Sequence, residues 1–347
     1  MLSSLNRYLG LEIRDTGFCA VEVERRPNGR VRLERLVAHS WPPGEVVADG
    51  RLVNPEALET RLRAALKEAG VKARKVHLAL PSHGIVLRTL HLPPLPRKAL
   101  RDVVQVELAT SLQLPFDDPV FDVVPWPGAS PDEKGAVPVQ LVAAPRALVQ
   151  PYVDALRACR LRPLSVDVGA LAHLRAVRHF RPPERPGAVL LVNLSATGAD
   201  VSIFSEGILH VTRRVALSPY AEEAVPVGEA VLPAVPEAAA AAEGFAREAK
   251  RSHLSPLFLH DLASELERVF SFFQYTLNQR QQPLAEILLC GELEELPQVA
   301  GELSARLGAP VVWKVGEGLR GRRRVLPLWR ERPHFWLTAF GAALKPR

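Results

Sequence analysis

Cysteine is scarce in this sequence, and apolar residues never form a long continuous run. The three cysteines, Cys19, Cys159 and Cys290, are odd in number, far apart and without a C-x-x-C pair, which argues against a disulfide framework and a zinc site. No run of about 18 apolar residues is present, so no transmembrane helix is expected. The first residues also lack the basic and apolar regions of a signal peptide. These absences predict a protein of the reducing cytoplasm.

The remaining composition is typical of a globular α/β protein with two lobes. At 347 residues, the chain exceeds the roughly 250–300 residues at which one hydrophobic core stops growing. The net charge of +6 arises from 44 basic and 38 acidic residues, which are scattered without an aromatic-basic stripe, so we predict no nucleic-acid binding. The ten histidines form no ligand pattern, and we predict no metal site.

The first 70 residues have the pattern of three strands followed by a helix. Turns at 15–17 and 27–29 separate the strands, and the second turn contains Asn-Gly, a strong hairpin signal. Asn54 is a suitable helix cap, Pro55 suits the first helical position, and Gly70 suits the end. The three predicted strands are residues 8–13, 18–24 and 31–38.

The same pattern recurs in the second half of the chain. Thr16-Gly17 and Thr197-Gly198 occupy equivalent places after Glu12 and Asn193, so one common offset aligns both pairs. Because strand order and turn residues recur together, an internal duplication is the better explanation than chance. The three strands of the second copy are predicted at residues 188–194, 199–204 and 208–215.

Between the copies the pattern predicts an inserted subdomain. A helix beginning at Pro96 is stopped by Leu114-Pro115-Phe116, and a loop rich in proline and glycine at 125–135 is expected to be exposed. We assign residues 1–180 to the first lobe, with the insertion at about 75–160, and residues 187–347 to the second. Strands are predicted at 76–80, 85–92, 121–124, 137–143 and 163–168, and further helices at 146–160 and 171–179.

The second lobe continues with one long apolar helix and a second group of short elements. The helix at 261–281 carries an apolar stripe that indicates a core position. Prolines at 182, 183 and 186 mark the boundary between the lobes. Other elements are predicted as a helix before Lys250, a strand at 286–289, a helix ending near Gly308, a strand at 310–315 and a terminal helix at 335–344.

This arrangement resembles the actin, Hsp70 and sugar-kinase superfamily, and in greater detail the PilM family of actin-like proteins of type IV pilus assembly. The resemblance implies a duplicated RNase H-like, actin-like two-lobed fold with an inserted 1C-type subdomain. The resemblance covers nearly the whole chain. The positions similar to the family are residues 9–13, 76–81, Arg88, 92–93, 106–108, 114–116, Arg213-Arg214, 265–268, 272–274 and 288–291.

The resemblance also implies where a nucleotide cleft would lie. Actin-like ATPases hold phosphates and magnesium with turns after the first strand of each lobe, and adenine beside a glycine run. The corresponding positions here are Glu12, Arg14, Asp15, Thr16, Asn193, Ser195, Thr197 and Gly291.

Several of these positions depart from the ATPase pattern. Arg14 stands in place of a glycine, and a non-glycine residue in a left-handed turn costs about 1–2 kcal/mol. Asn193 replaces an acid, Glu292 places a bulky anion after Gly291, and Cys19 replaces a lysine. We therefore predict a vestigial cleft in a pseudo-ATPase, with no cofactor; bound ATP and magnesium are the alternative.

Members of the PilM family grip the short cytoplasmic tail of the membrane protein PilN, and the resemblance implies the same partner here. An extended tail would lie in an apolar groove near Arg88, Pro115 and Phe116. These residues could equally terminate and pack the helix before them. The chain would then be a cytoplasmic scaffold held at the inner membrane through its partner. Pilus motor ATPases, the platform protein and a second copy of the chain are further candidate partners, and twitching motility and natural competence are the associated processes.

Two other functions remain open from the sequence. An active ATPase or small-molecule kinase of the same fold would need an aspartate base beside the cleft, for which Asp167 and Asp200 are candidates. A cytoplasmic scaffold of the type II secretion system would share the actin-like architecture. A basic cluster at 320–332 is interpreted as a solvated loop, with an anionic lipid or acidic partner as the alternative.

Overall fold

The computed structural model describes residues 6–27, 29–181, 186–220 and 254–346, and its first large sheet has six strands. Strand β1 lies inside this sheet, antiparallel to β2 and parallel to β6, in the spatial order β10-β6-β1-β2-β3-β16. The strands are β1 (Arg7–Arg14), β2 (Gly17–Arg25), β3 (Val31–Ser40), β6 (Lys75–Leu80), β10 (Arg162–Val168) and β16 (Arg320–Gly321), and a small hairpin between β3 and β6 contains β4 (Val47–Ala48) and β5 (Arg51–Leu52).

The second large sheet repeats the same order around its own central strand. The spatial order is β13-β12-β11-β14-β15, with β11 antiparallel to β12 and parallel to β14. Its five strands therefore match β3-β2-β1-β6-β10 one by one, as the internal repeat predicted. They are β11 (Ala188–Ser195), β12 (Gly198–Ser205), β13 (Ile208–Val215), β14 (Leu284–Gly291) and β15 (Val311–Val312).

Helices and strands alternate in the same order along the chain in both halves. The first half contains α1 (Pro55–Glu68), α2 (Arg97–Thr110), α3 (Arg146–Ala158) and α4 (Gly169–Phe180). The second contains α5 (Pro256–Ser271), continued by a π-helical turn (Phe272–Thr276), then α6 (Leu296–Leu307), α7 (Leu326–Glu331) and α8 (Pro333–Ala343).

Two glycines show that the repeat extends to backbone detail. Gly17 and Gly198 both have positive φ, at 156° and 141°. A Cβ on Gly17 would lie 2.2 Å from the carbonyl oxygen of His39, and one on Gly198 would lie 2.3 Å from that of Val215. The third strand of each half thus approaches the first turn so closely that only glycine fits there.

Helix α1 forms as its sequence predicted. The Asn54 side chain accepts a hydrogen bond from the Ala57 N–H, Pro55 opens the helix, and Leu58 and Leu62 are buried. Helix α5 begins five residues before the predicted start at 261, because Pro256 already opens it. The predicted strand at 310–315 shortens to two residues, β15.

The inserted subdomain is smaller than predicted. Its own sheet has the order β7-β9-β8 and is covered by α2. The predicted bounds of about 75–160 are wrong at both ends, because β6 pairs with β1 in the first sheet and α3 packs in the core of that lobe through Tyr152 and Leu156. The strands of this sheet are β7 (Val86–Leu92), β8 (Pro119–Pro125) and β9 (Val137–Pro145).

The loop after β8 is partly covered by the second lobe. The ring of Trp126 lies 5.4 Å from that of His210 on β13, and the Gln140 side chain donates to the carbonyl of Leu209. The prediction of a fully exposed loop at 125–135 therefore needs correction at Trp126, which is half-buried because it packs on a neighbouring strand.

Helices α4 and α8 lie together between the two large sheets. Every residue of α8 is buried, which is expected of a helix that is apolar on all sides. It packs on the first sheet through Phe340 and Ala343, and β16 pairs with β3. The predicted second lobe of 187–347 is thus incorrect at its end, where β16, α7 and α8 cover the first sheet.

The remaining predictions concern three local sequence features, the cysteines and a membrane-spanning helix. The helix before Lys250, the Asn28 turn residue and Pro182-Pro183 lie outside the described residues. All three cysteines are free and buried. Within the described ranges, none of the helices has both the length and the apolar character that a membrane span needs.

Candidate functional site

The turns that follow β1 and β11 face each other across a cleft between the two large sheets. Glu12 near the end of β1 and Asn193 near the end of β11 occupy equivalent places in the repeat. The Asn193 Nδ2 donates a hydrogen bond to Glu12 Oε1 at 3.3 Å. The duplication therefore brings its two matching polar positions into direct contact.

Arg14 fills the first-lobe side of this cleft. Its Nη2 donates to Glu12 Oε2 at 2.6 Å and to the carbonyl oxygen of Phe335 at 3.0 Å, and its guanidinium lies 4.7 Å from the centre of the Phe335 ring. Burial opposes the charge of Arg14, but acidic neighbours that include Glu12 and Glu292 outweigh burial and raise its pKa well above the usual value. Arg14 is a fixed cation of the cleft.

Glu292 closes the opposite side of the cleft. The Thr16 hydroxyl donates to its carboxylate, at 2.8 and 2.9 Å from the two oxygens. Gly291, which precedes it, has a φ of 123°, and a Cβ there would lie 1.9 Å from the carbonyl of Leu194. Burial raises the pKa of the Glu292 carboxyl, while Arg14 and the Thr16 hydrogen bond partly offset that effect. This half-buried carboxylate joins the first turn of the first lobe to the end of β14.

Arg214 organises the turn of the second lobe. Its Nη2 donates to Ser195 Oγ at 2.8 Å and to Thr197 Oγ1 at 2.6 Å, and its Nη1 pairs with Asp200 Oδ2 at 3.3 Å. Asp200 also accepts from the Ser82 backbone N–H at 3.2 Å and from the Ser82 hydroxyl. Because Ser82 follows β6 of the first sheet, Asp200 connects the two lobes.

These contacts leave little space in the cleft. Among the described residues, two cavities of about 20 Å³ each lie in this cleft, and Asp15 lines the first of them. Sites for small molecules usually have volumes of roughly 300–1,000 Å³. Each cavity is therefore of the size of about one water molecule.

Asp15 lies at the rim of the cleft rather than in its centre. Its Oδ1 accepts from the Gly50 N–H at 2.9 Å, and its backbone carbonyl accepts from Trp41 Nε1 at 2.9 Å. Asp15 is thus tied to the β4–β5 turn. Glu12 and Thr16 contact residues of the second lobe, whereas Ser195 and Thr197 are held by Arg214 within that lobe.

Sequence reasoning singled out Ser195 and Thr197 but missed the arginine that holds them. A signal for it existed, because Asp200 and Arg214 face each other in the register of the β12–β13 hairpin. Ser82 carried no local signal, since its contact with Asp200 joins parts of the chain that only the fold brings together.

The two aspartates considered as catalytic bases are both held in ion pairs. Asp167 is buried and pairs with Arg175 Nη2 at 2.9 Å and Lys345 Nζ at 3.3 Å. Asp200 pairs with Arg214, as described above. Neither carboxylate is left unpaired to accept a proton from a substrate hydroxyl.

The three residues predicted near a partner groove lie on the inserted subdomain. Arg88 is exposed on β7 and stands opposite Leu141 in the β7–β9 register, so its side chain is on the same side of the sheet as α2. Phe116 packs partly buried against the same apolar cluster, and Pro115 is exposed beside it. The strand β9 separates Arg88 from the segment of Phe116.

A cavity of about 470 Å³ lies at the carboxyl end of α2. It is lined by the segment 108–119, including Leu112 and Phe116, while Arg88 and Pro115 lie outside its lining. The inserted subdomain therefore presents an open concave surface with an aromatic side chain in its wall.

Comparison with known proteins agrees with this architecture. A family profile described as type IV pilus assembly protein PilM matches residues 10–346. A PilM-PilN type IV pilus biogenesis complex aligns with a TM-score of 0.72 and 25% identity, over 98% of this chain and 99% of that chain. The ethanolamine utilization protein EutJ from Carboxydothermus hydrogenoformans aligns with a TM-score of 0.50 and 14% identity, over 97% and 88%, a likeness of fold alone. No curated protein sequence matches the chain.

The profile match extends across both lobes and the inserted subdomain. The predicted actin-like ATPase fold is thereby confirmed, and the match favours type IV pilus assembly over the type II secretion alternative. The chain belongs to the PilM family of type IV pilus assembly proteins.

Proposed function

We propose that this protein is a scaffold of type IV pilus assembly that binds the cytoplasmic tail of a PilN-like inner-membrane protein and does not hydrolyse ATP. It acts in the cytoplasm and is held at the inner membrane by that partner. The observation that supports the proposal is the closed cleft, in which Arg14, Glu292 and the Ser82–Asp200 contact lie where the resemblance to actin-like ATPases would place a nucleotide.

The chemistry of the cleft supports the absence of hydrolysis. A triphosphate needs free backbone N–H groups and a cation, and magnesium needs carboxylates that are free to hold its water shell. Here Glu12 is bonded to Arg14 and Asn193, and Glu292 is bonded to Thr16. The remaining volume of about 20 Å³ per cavity is far below that of a nucleotide site.

The inserted subdomain supports the partner assignment. The solved relative with 25% identity is a complex of PilM with PilN, and it covers nearly all of both chains. On this chain, Phe116 lines an open cavity at the end of α2, and Arg88 is exposed on the α2 side of the inserted sheet, on the other side of β9. An extended tail would place apolar side chains against Phe116, and the exposed Arg88 would pair with an acidic group of the tail.

The hydrolysis part is tested with ATP, magnesium and the purified protein. We expect no saturable binding below about 1 mM, which corresponds to about 4 kcal/mol, and no turnover above that of buffer. Glu12→Gln is the control, because this substitution does not change the turnover of a contaminating ATPase. Micromolar binding together with a turnover that Glu12→Gln abolishes would contradict this part.

The partner part is tested with a fluorescent peptide of the N-terminal cytoplasmic tail of a PilN-type protein. We expect Phe116→Ala to weaken binding at least about tenfold, or about 1.4 kcal/mol. Phe272→Ala is a matched control, since Phe272 is a partly exposed aromatic residue (45% exposed) on the second lobe. Circular dichroism checks that both variants fold. Unchanged binding by Phe116→Ala and Arg88→Ala would refute the groove.

A further inference from the structure

A cluster of three potential metal ligands lies at the rim of the cleft, away from its central contacts. One ligand atom each of Asp15, Asp49 and His83 lies within 4.8 Å of the other two. The residues come from three separate connections: the β1–β2 turn, the β4–β5 turn and the segment between β6 and β7. Their convergence is produced by the fold, which is why no spacing in the sequence indicated it.

The two carboxylates of this cluster have no cationic partner. Among the described residues, neither Asp15 nor Asp49 takes part in a salt bridge, whereas Glu12, Glu45 and Asp200 each pair with an arginine. Two carboxylates this close repel each other when both are ionised. A cation between them would remove that repulsion.

The histidine of the cluster is also uncommitted. His83 is half-buried, and within the described part of the chain no hydrogen-bond partner reaches its enclosed Nδ1. The ring packs directly on Gly50, where a Cβ would lie 2.7 Å from Nδ1. Buried polar atoms normally have a partner, and one ring nitrogen of His83 lies within 4.8 Å of both carboxylates, an arrangement that points to a ligand.

The local backbone holds the three side chains in place. The Gly50 N–H binds one oxygen of Asp15 and leaves the other free, and Asp49 has a positive φ of 48°, a conformation in which aspartate and asparagine are enriched. In a bound state with metal–ligand distances of about 2.0–2.2 Å, ligand atoms lie roughly 3–4 Å apart. Small side-chain rotations would close the observed separations to that value.

We propose that Asp15, Asp49 and His83 form a binding site for a divalent transition-metal ion of the zinc type. One imidazole and two carboxylates suit Zn²⁺, Co²⁺ or Mn²⁺, whereas Mg²⁺ and Ca²⁺ prefer oxygen ligands alone. Three protein ligands leave at least one position for water. Asp15 and His83 also line the first cavity of the cleft, but the site does not depend on the proposed scaffold function.

The position of the site gives it a structural consequence. His83 lies between β6 of the first sheet and β7 of the inserted sheet, next to Ser82, which contacts Asp200. A bound ion would fix this connection to the β1–β2 and β4–β5 turns. It would therefore hold the inserted subdomain in one orientation relative to the first lobe.

The test is titration of the metal-free, full-length protein with Zn²⁺ by calorimetry and with Co²⁺ by visible absorption. We expect one ion per chain, and an affinity that falls at least about 100-fold in His83→Gln and at least about tenfold in Asp49→Asn. Asparagine accepts the same positive φ as aspartate, so Asp49→Asn keeps the turn. The controls are Asp118→Asn, another exposed aspartate with a positive φ of 45°, and His91→Gln, an exposed histidine on β7.

The outcomes separate the site from surface binding. If the wild type binds neither Zn²⁺ nor Co²⁺ stoichiometrically, the proposal is overturned, and the variants are not needed for that conclusion. Equal affinity in the wild type, Asp49→Asn and His83→Gln would overturn it as well, because the ion would then be bound elsewhere. Urea unfolding of the metal-free variants checks that a lost affinity does not result from lost folding. Slower hydrogen exchange at residues 82–86 on addition of Zn²⁺ would support the structural consequence.

Discussion

The contact between α4 and α8 provides a sharp test of the packing between the lobes. Gly341 on α8 lies against the backbone of α4, and a Cβ on it would be 1.7 Å from the carbonyl oxygen of Ala172. Real Cβ contacts are longer than 3.0 Å, so Gly341→Ala would push the helices apart by roughly 1 Å or more. Overpacking costs about 1–3 kcal/mol, and we expect the upper end because backbone atoms, which cannot rotate away, are in contact.

A matched glycine separates this steric effect from helix propensity. Gly301 on α6 is also helical, but it is exposed, and no atom lies within 4 Å of its Cβ position. Gly301→Ala should therefore stabilise the protein by about 0.5–1 kcal/mol. The same propensity gain acts in Gly341→Ala, whose net effect should be a loss of about 2 kcal/mol. The two identical substitutions should thus differ by about 3 kcal/mol in the free energy of unfolding.

The assay is urea unfolding of the wild type and both variants, followed by circular dichroism and by tryptophan fluorescence. Trp329 and Trp336 are buried beside Phe340 on and next to α8, so fluorescence reports on this contact. If the two probes give different transitions, the first midpoint is compared, because a two-lobed chain does not always unfold in one step. A shift of both variants in the same direction would refute the reasoning.

Three further results are expected. The raised pKa of the Glu292 carboxyl means that the folded protein binds this proton more tightly than the unfolded chain, so the resulting stabilisation is complete below the ordinary pKa of 4.5 and is lost as pH rises. In urea titrations between pH 4.5 and 8, the wild type should therefore lose stability relative to Glu292→Gln. A constant difference between the two proteins would contradict this. Asn54→Ala removes the α1 cap and should cost about 1 kcal/mol by the same assay, a negligible loss arguing against the cap. Leu141→Ala should lower the free energy of unfolding by about 2–5 kcal/mol. Hydrogen exchange should then become faster first in residues 86–145 rather than uniformly along the chain.

Most elements of this fold were predictable because their signals are local. The Asn54 cap, the Gly308 helix end and the Thr-Gly turns act through neighbouring residues, and each lies where it was predicted. The duplication was also predictable, because equal spacing of turns survives in the sequence. These are properties that propensity and turn chemistry determine before any tertiary contact forms.

What could not be predicted depends on pairing between distant segments. Strand β6 has the same apolar pattern whether it joins the first sheet or the inserted one, so only its pairing with β1 shows to which sheet it belongs. The apolar faces of α8 indicated burial but not which sheet it would cover. The cluster of Asp15, Asp49 and His83 likewise lies in three connections whose meeting point no sequence window contains.

The contacts of the predicted cleft residues were not readable from the sequence. The replacement of glycine by Arg14 was visible, whereas its contact with the Phe335 carbonyl depends on where α8 lies. The partner groove and the loss of hydrolysis stay predictions, and the experiments described above address them.

The position of α8 has a consequence for how the protein is made. This helix follows the whole second lobe in the chain, yet it covers β1 and β2, which precede that lobe. The first sheet must therefore wait, with one apolar face open to solvent, until the second lobe and α8 have been synthesised. During that interval the nascent chain is a natural client for chaperones, and its two halves cannot mature independently.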